Sequence, residues 1–182
     1  MSQIKVYADH QPTVVVEQAT DGSAIADILG AVGVRFERWQ ATHEVTPDMD
    51  QAAIINAYQR EIDRLKHEGG YVTVDVVNMH PEHPQKDEFR KKFLEEHTHG
   101  EDEVRFFVAG QGLFSLHIDN KVYAVLCTQN DLISVPANTP HWFDMGPEPH
   151  FSAIRLFNNP EGWVAQFTGT PIAANFPRFD TL

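Results

Sequence analysis

His97, His99 and Glu103 fall in the stretch EEHTHGEDEVRFFVAG, Glu95 to Gly110, at positions of one parity and just before a run of aromatic and β-branched residues. Alternate side chains of an extended chain share a face, so these three and Arg105 can point to one side of a sheet. If that face turns into a barrel, two imidazoles and a carboxylate converge inside it, where they are costly to bury unless something satisfies them. A divalent cation does so. A further imidazole, His141, follows a strand and a proline turn in DLISVPANTPHW. Three nitrogens and one oxygen suit first-row metals such as iron, nickel or manganese, and an octahedral ion would keep open positions for substrate. A His-x-His pair on its own is more often a solvated surface feature, so the elements around the set must decide.

The elements that would position this set are readable from hydrophobic period. QIKVYA has the pattern of a short strand, DGSAIADILGAVG that of a short helix opened by Asp21 or Ser23 and ended near Gly33, and VRFERW is extended. The stretch TPDMDQAAIINAYQREIDRLKHEGG predicts one helix, with Thr46 as N-cap, Pro47 at the first helical position and Gly69 as terminator. Ile54, Ile55, Tyr58, Ile62 and Leu65 give it an apolar face. YVTVDVVNM follows as a strand, HPEHPQ as a loop, and KDEFRKKFLEE as a short helix pairing Phe89 with Phe93. Beyond it, EVRFFVA, LFSLHI, KVYAVLC, DLISVP, HWFDM and HFSAIRLF are closely spaced strands, with turns at GQG, DN, TQN, ANTP and GPEP. Such spacing predicts an antiparallel sandwich or barrel. The tail from Asn158 reads as irregular chain packed over it.

The full spacing, His97-x-His99-x3-Glu103-x6-Gly110 and then Asp131-x4-Pro136-x-Asn138-x2-His141, resembles the two-part signature of the cupin superfamily. HTHGEDEVRFFVAGQGLF, VPANTPHWFDMG and AIRLFNNPEGWV are, more narrowly, similar to segments of the acireductone dioxygenases of methionine salvage, and the resemblance runs over most of the chain. It implies a mainly β fold, the cupin double-stranded β-helix or jelly-roll barrel, with a few N-terminal helices. One domain is expected over 1–182, with a mixed α/β part to residue 96, a metal-binding barrel core over 97–158 and a packing segment over 159–182. The resemblance also implies one Fe(II) or Ni(II) per chain on His97, His99, Glu103 and His141. Its substrates would be dioxygen and 1,2-dihydroxy-3-keto-5-methylthiopentene, bound as the anion. Iron would yield formate and 4-methylthio-2-oxobutanoate; nickel would yield carbon monoxide, formate and 3-methylthiopropanoate. Asn138 stands where the general cupin pattern has Gly and Met145 where it often has Asn, and Asn is the non-glycine residue that best tolerates positive φ.

Arg105 shares the parity of Glu103, and Arg155 in FSAIRLF is flanked by apolar residues that would make an unpaired charge unfavourable; both want an anion. The resemblance makes them the catalytic, substrate-holding arginines. It adds Phe93, Phe143 and Trp163 as the wall around an apolar methylthio tail, although aromatics at such positions are commonly core. His80 and His83, between prolines in a polar loop, are expected at the surface, and His117 exposed or hydrogen-bonded. Cys127, the only cysteine, is expected to be a buried thiol.

A chain of 182 residues with 14 Lys+Arg against 26 Asp+Glu carries a net charge of −12. That potential disfavours nucleic acid and anionic lipid as partners and favours a small substrate. No apolar leader and no stretch near the roughly 18 apolar residues of a spanning helix are present, so a cytoplasmic protein is expected. The charge leans towards a monomer. Two rivals share the metal reading. Another cupin dioxygenase is one, although thiol dioxygenases usually lack the carboxylate ligand; a non-catalytic metal-binding cupin is the other.

Overall fold

Glu103–Ile118 forms one strand of 16 residues that belongs to two sheets. In the computed structural model, which describes residues Met1–Leu182, the preceding elements are β1 (Gln3–Ala8), β2 (Val15–Ala19), α1 (Gly22–Gly30), β3 (Arg35–Arg38), α2 (Gln51–Ala57), α3 (Gln59–Gly69), β4 (Thr73–Met79), α4 (Lys86–Phe93) and β5 (His97–Thr98). The long strand is β6. After it come β7 (Lys121–Thr128), β8 (Asp131–Val135), β9 (His141–Asp144), β10 (Phe151–Phe157), β11 (Gln166–Phe167) and 3-10 turns at Ile172–Asn175 and Phe179–Thr181. No helix is long and apolar enough to cross a membrane.

The first half of β6 pairs with β10 and β8, and with β4 and β3 outside them makes one sheet. Its second half pairs with β7 and β9 in the other, ordered β11-β5-β9-β6-β7-β1-β2. Every pairing is antiparallel. The sequence reading put a turn at GQG; the chain instead bulges there and continues. Against β10, Ser152 faces Ala109 while Ala153 faces Phe107, so one residue of β6 is extra. The bulge reverses the face that each parity presents. Before it Phe107 enters the central core while Val104, Phe106 and Val108 face outward; after it Phe114 and Leu116 enter that core. Gly110 sits at the bend with φ +64, and a Cβ there would lie 1.9 Å from the His150 carbonyl oxygen. Only glycine fits both conditions.

The expected helix over 46–69 is two helices. Thr46 is not its cap, because its hydroxyl donates to Asp48; the Asp50 carboxylate takes that place, accepting from Ala53 N at 2.8 Å. The helix breaks at Tyr58 (φ −108, ψ 21), whose buried ring packs edge-on against Phe106 and whose hydroxyl donates to the His43 carbonyl. The terminating left-handed residue is Gly70 rather than Gly69. Ile54, Tyr58, Ile62 and Leu65 close the outer face of the β6-β8-β10 sheet. On the opposite outer face the tail seats Ala173 and Phe176 against Tyr7, Leu113, Val122 and Trp142. The space between the sheets is reached at the end where β5, β9 and the start of β6 meet, and His97, His99, Glu103 and His141 gather there.

Candidate metal centre

The two-residue strand β5 is held from both sides: His97 pairs with His141 on β9 and with Phe167 on β11. The turn over residues 100–102 is locked to the turn before His141. Asn138 N donates to the His99 carbonyl at 2.8 Å and Ala137 N to the Asp102 carboxylate at 2.8 Å. Asn138 has φ +63, the conformation its amide side chain was expected to tolerate.

His97, His99, Glu103 and His141 are all buried and converge. The candidate ligand atoms of the three histidines lie within 4.8 Å of one another. Each imidazole has its Nδ1 against a backbone carbonyl: Glu95 O at 2.7 Å for His97, Val164 O at 3.3 Å for His99 and Thr139 O at 2.8 Å for His141. A carbonyl only accepts, so Nδ1 carries the proton and each Nε2 presents a lone pair. Glu103 Oε2 lies 3.3 Å from His99 Nε2 and 3.9 Å from His141 Nε2. These three atoms, His99 Nε2, His141 Nε2 and Glu103 Oε2, are buried without a hydrogen-bond partner. Three orphaned acceptors facing one point are unfavourable in a polypeptide alone and are what a divalent cation needs. The donor set therefore fits Fe(II) or Ni(II).

Burial holds the His97 imidazole down at about 4 and that of His141 at about 3, and lowers His99 as well. Burial alone would raise the Glu103 carboxyl, but Arg105, His99 and His141 together outweigh it and hold it well below the usual carboxylate range. At neutral pH the site is thus three neutral imidazoles and one carboxylate, with no proton to displace on metal binding. The metal-free protein is expected to lose stability as pH falls from about 6.5 towards 4. In that window unfolded imidazoles protonate near 6.5 while His97 and His141 stay neutral, so the unfolded chain binds more protons and acid favours it. Above it the contribution vanishes. Urea midpoints measured in chelator across this range check the slope; a flat profile would contradict it.

Arg105 is buried, and its Nε and Nη2 both donate to Glu103 Oε1, at 3.1 and 2.7 Å, leaving Oε2 free to face the histidines. Its guanidinium lies over the rings of Phe114 and Phe143. Arg155 satisfies its charge within the chain: Nε and Nη2 donate to the two Asp75 oxygens at 2.8 and 2.6 Å. Asp75 escaped the sequence reading; its place between valines in TVDVV, on an inner strand face, was the available signal.

A cavity of about 430 Å³ opens onto the centre. His97, His99, His141, Arg105, Arg155, Phe93, Phe143 and Trp163 all line it. Phe143 is buried, Phe93 half-buried and stacked on Phe89, and Trp163 about half exposed at 53%. Val76, Val77, Met79 and Phe89 add apolar surface to the wall, beside the polar Asn78, His83 and Lys92. His83 corrects the sequence reading. It is half-buried and lines the cavity, drawn in by its ring contacts with Phe89 and His80 and by the Gln85 N–H that donates to its Nδ1. His80 is half-buried too. His117 bridges the Asp9 and Glu96 carboxylates, and Cys127 is buried, with its thiol raised well above the usual range by burial.

Comparisons with known proteins give the same answer across the whole chain. The ARD/ARD' family model matches residues 3–165. An acireductone dioxygenase of Alcanivorax borkumensis is 62% identical over 177 residues, covering 97% of this chain and 98% of that one. One of Pseudomonas aeruginosa has the same identity and coverage. The solved structure of the Bacillus anthracis acireductone dioxygenase, described with a cadmium ion in its active centre, superposes with a TM-score of 0.78 at 29% identity, over 92% of this chain and 98% of that one. The double-sheet barrel, its buried donor set and these likenesses agree: the chain belongs to the acireductone dioxygenase (ARD/ARD') family.

Proposed function

We propose that this chain cleaves the anion of 1,2-dihydroxy-3-keto-5-methylthiopentene with dioxygen, at one Fe(II) or Ni(II) held by His97, His99, Glu103 and His141. The observation that carries the reading is the set of orphaned buried acceptors at a cavity whose lining is half apolar. When bound, the metal supplies Lewis acidity and a template for the substrate's oxygens. The protein's own residues do the rest. Arg105 fixes which Glu103 oxygen faces the metal. Arg155, held by two hydrogen bonds to Asp75, lines the cavity and offsets charge on the substrate oxygens. Phe93, Phe143 and Trp163, with Val76, Val77 and Met79, take the methylthio tail and exclude water from the oxygen-bearing end. The iron form yields formate and the 2-oxo acid; the nickel form yields carbon monoxide, formate and the acid one carbon shorter. A cytoplasmic monomer is the form we infer, consistent with the net charge of −12.

Arg155→Ala tests the assignment. It is expected to lose at least about 100-fold in kcat/KM, the scale for removing a donor to developing negative charge, with metal content unchanged. Oxygen consumption at the unmodified rate would remove Arg155 from the site.

A further inference from the structure

Lys92 is the one formally charged side chain lining the cavity that has no ion-pair partner. The chain has 26 Asp+Glu, yet beyond Glu103 at the metal centre neither type lines the cavity. Of its three Lys and Arg residues, Arg105 is paired with Glu103 and Arg155 with Asp75. Seen from the mouth, each pair is close to neutral. Lys92 is exposed on α4, on the face that also carries Phe89 and Phe93 into the cavity. Its neighbour Lys91 is just as exposed, but faces a separate cleft beside Leu94 and Arg178.

We propose that Lys92 is a specificity-determining residue that draws the anionic substrate into the cavity and favours it over neutral analogues. The proposal rests on the reading of the cavity as the acireductone site. A body of net charge −12 repels an approaching anion, and an unpaired side-chain cation at the mouth of a low-dielectric cleft counters that field where the anion enters, adding to the charge of a metal bound further in. Lys92 is exposed, so its effect is modest, falls on capture rather than chemistry, and is screened by salt.

The test uses full-length, metal-loaded wild type, Lys92→Gln, Lys92→Glu and Lys91→Gln. Steady-state kinetics on synthetic acireductone at low and high ionic strength are paired with anaerobic titration of the same compound followed by absorbance. Lys92→Gln should lower kcat/KM about three- to fivefold at low salt, and Lys92→Glu about tenfold. The loss should lie in KM and in anaerobic affinity, close near 1 M salt, and leave metal content and Tm unchanged. Lys91→Gln makes the same change in net charge and should match wild type. Equal losses in the two glutamine variants would assign the effect to overall charge and overturn the proposal. So would no loss at Lys92, or a loss accompanied by metal depletion. A wild type that neither binds nor turns over the compound would instead overturn the function on which the proposal rests, and the proposal with it.

Discussion

His141→Ala is expected to purify without metal and to bind added Fe(II) or Ni(II) at least about 100-fold more weakly than the parent chain, since even changes one shell beyond the ligands cost 10- to 100-fold. His141 is central to the donor set. Its ring lies 4.5 Å from that of His97 and 5.2 Å from that of His99, centroid to centroid, and its Nε2 faces Glu103. Truncation leaves the Thr139 carbonyl and the stacked face of Phe114 without their partner, so far-UV circular dichroism and a thermal scan in chelator must accompany the metal assay. His83→Ala, in the same cavity, is the matched control and should keep full metal content. Normal metal stoichiometry in His141→Ala would refute the four-ligand site; metal loss in His83→Ala would show that the loop helps to build it.

Arg105→Ala is expected to destabilise the metal-free protein by about 3–5 kcal/mol, the usual cost of stripping one partner from a buried ion pair. Glu103 is 1% exposed, and both hydrogen bonds to its Oε1 come from Arg105. The same substitution should cost less in protein saturated with Ni(II), where the cation at the opposite carboxylate oxygen supplies part of the missing compensation. Urea midpoints with chelator and with excess metal measure the difference. Arg105→Lys should recover only part of the loss, because an ammonium cannot reproduce the two-point contact of a guanidinium. Equal penalties in the two states would show that Arg105 and the metal do not share Glu103.

The donor set was legible because it rests on two local regularities, strand parity for His97, His99, Glu103 and Arg105, and the proline turn that delivers His141. The tolerance of Asn138 for positive φ was legible for the same reason. What the sequence hid was set by long-range competition. Gly110 carries the composition of a turn, but β10 pairs with β6 up to Gly110 and β7 takes over from Gln111, so continuous pairing across that point favours a bulge over a chain reversal. Thr46 and Asp50 are both good caps; Asp48 engages the Thr46 hydroxyl, and Asp50 takes the helix. Arg155 was seen to want an anion, but Asp75 stands 80 positions away and meets it only through the β4-β10 register. His83 lies among prolines and polar residues, a surface composition, and is turned inward by Phe89, a residue of the following helix.

The measurement that bears most directly on the central claim is anaerobic reconstitution of metal-free protein with Fe(II) and, separately, with Ni(II). Each loaded form is then given oxygen and synthetic acireductone while formate and carbon monoxide are quantified. One polypeptide with one donor set should turn over far faster than spontaneous oxidation with either metal. It should release formate without carbon monoxide when loaded with iron, and both when loaded with nickel. Turnover no faster than the spontaneous reaction, in protein shown to hold one metal per chain, would contradict the account.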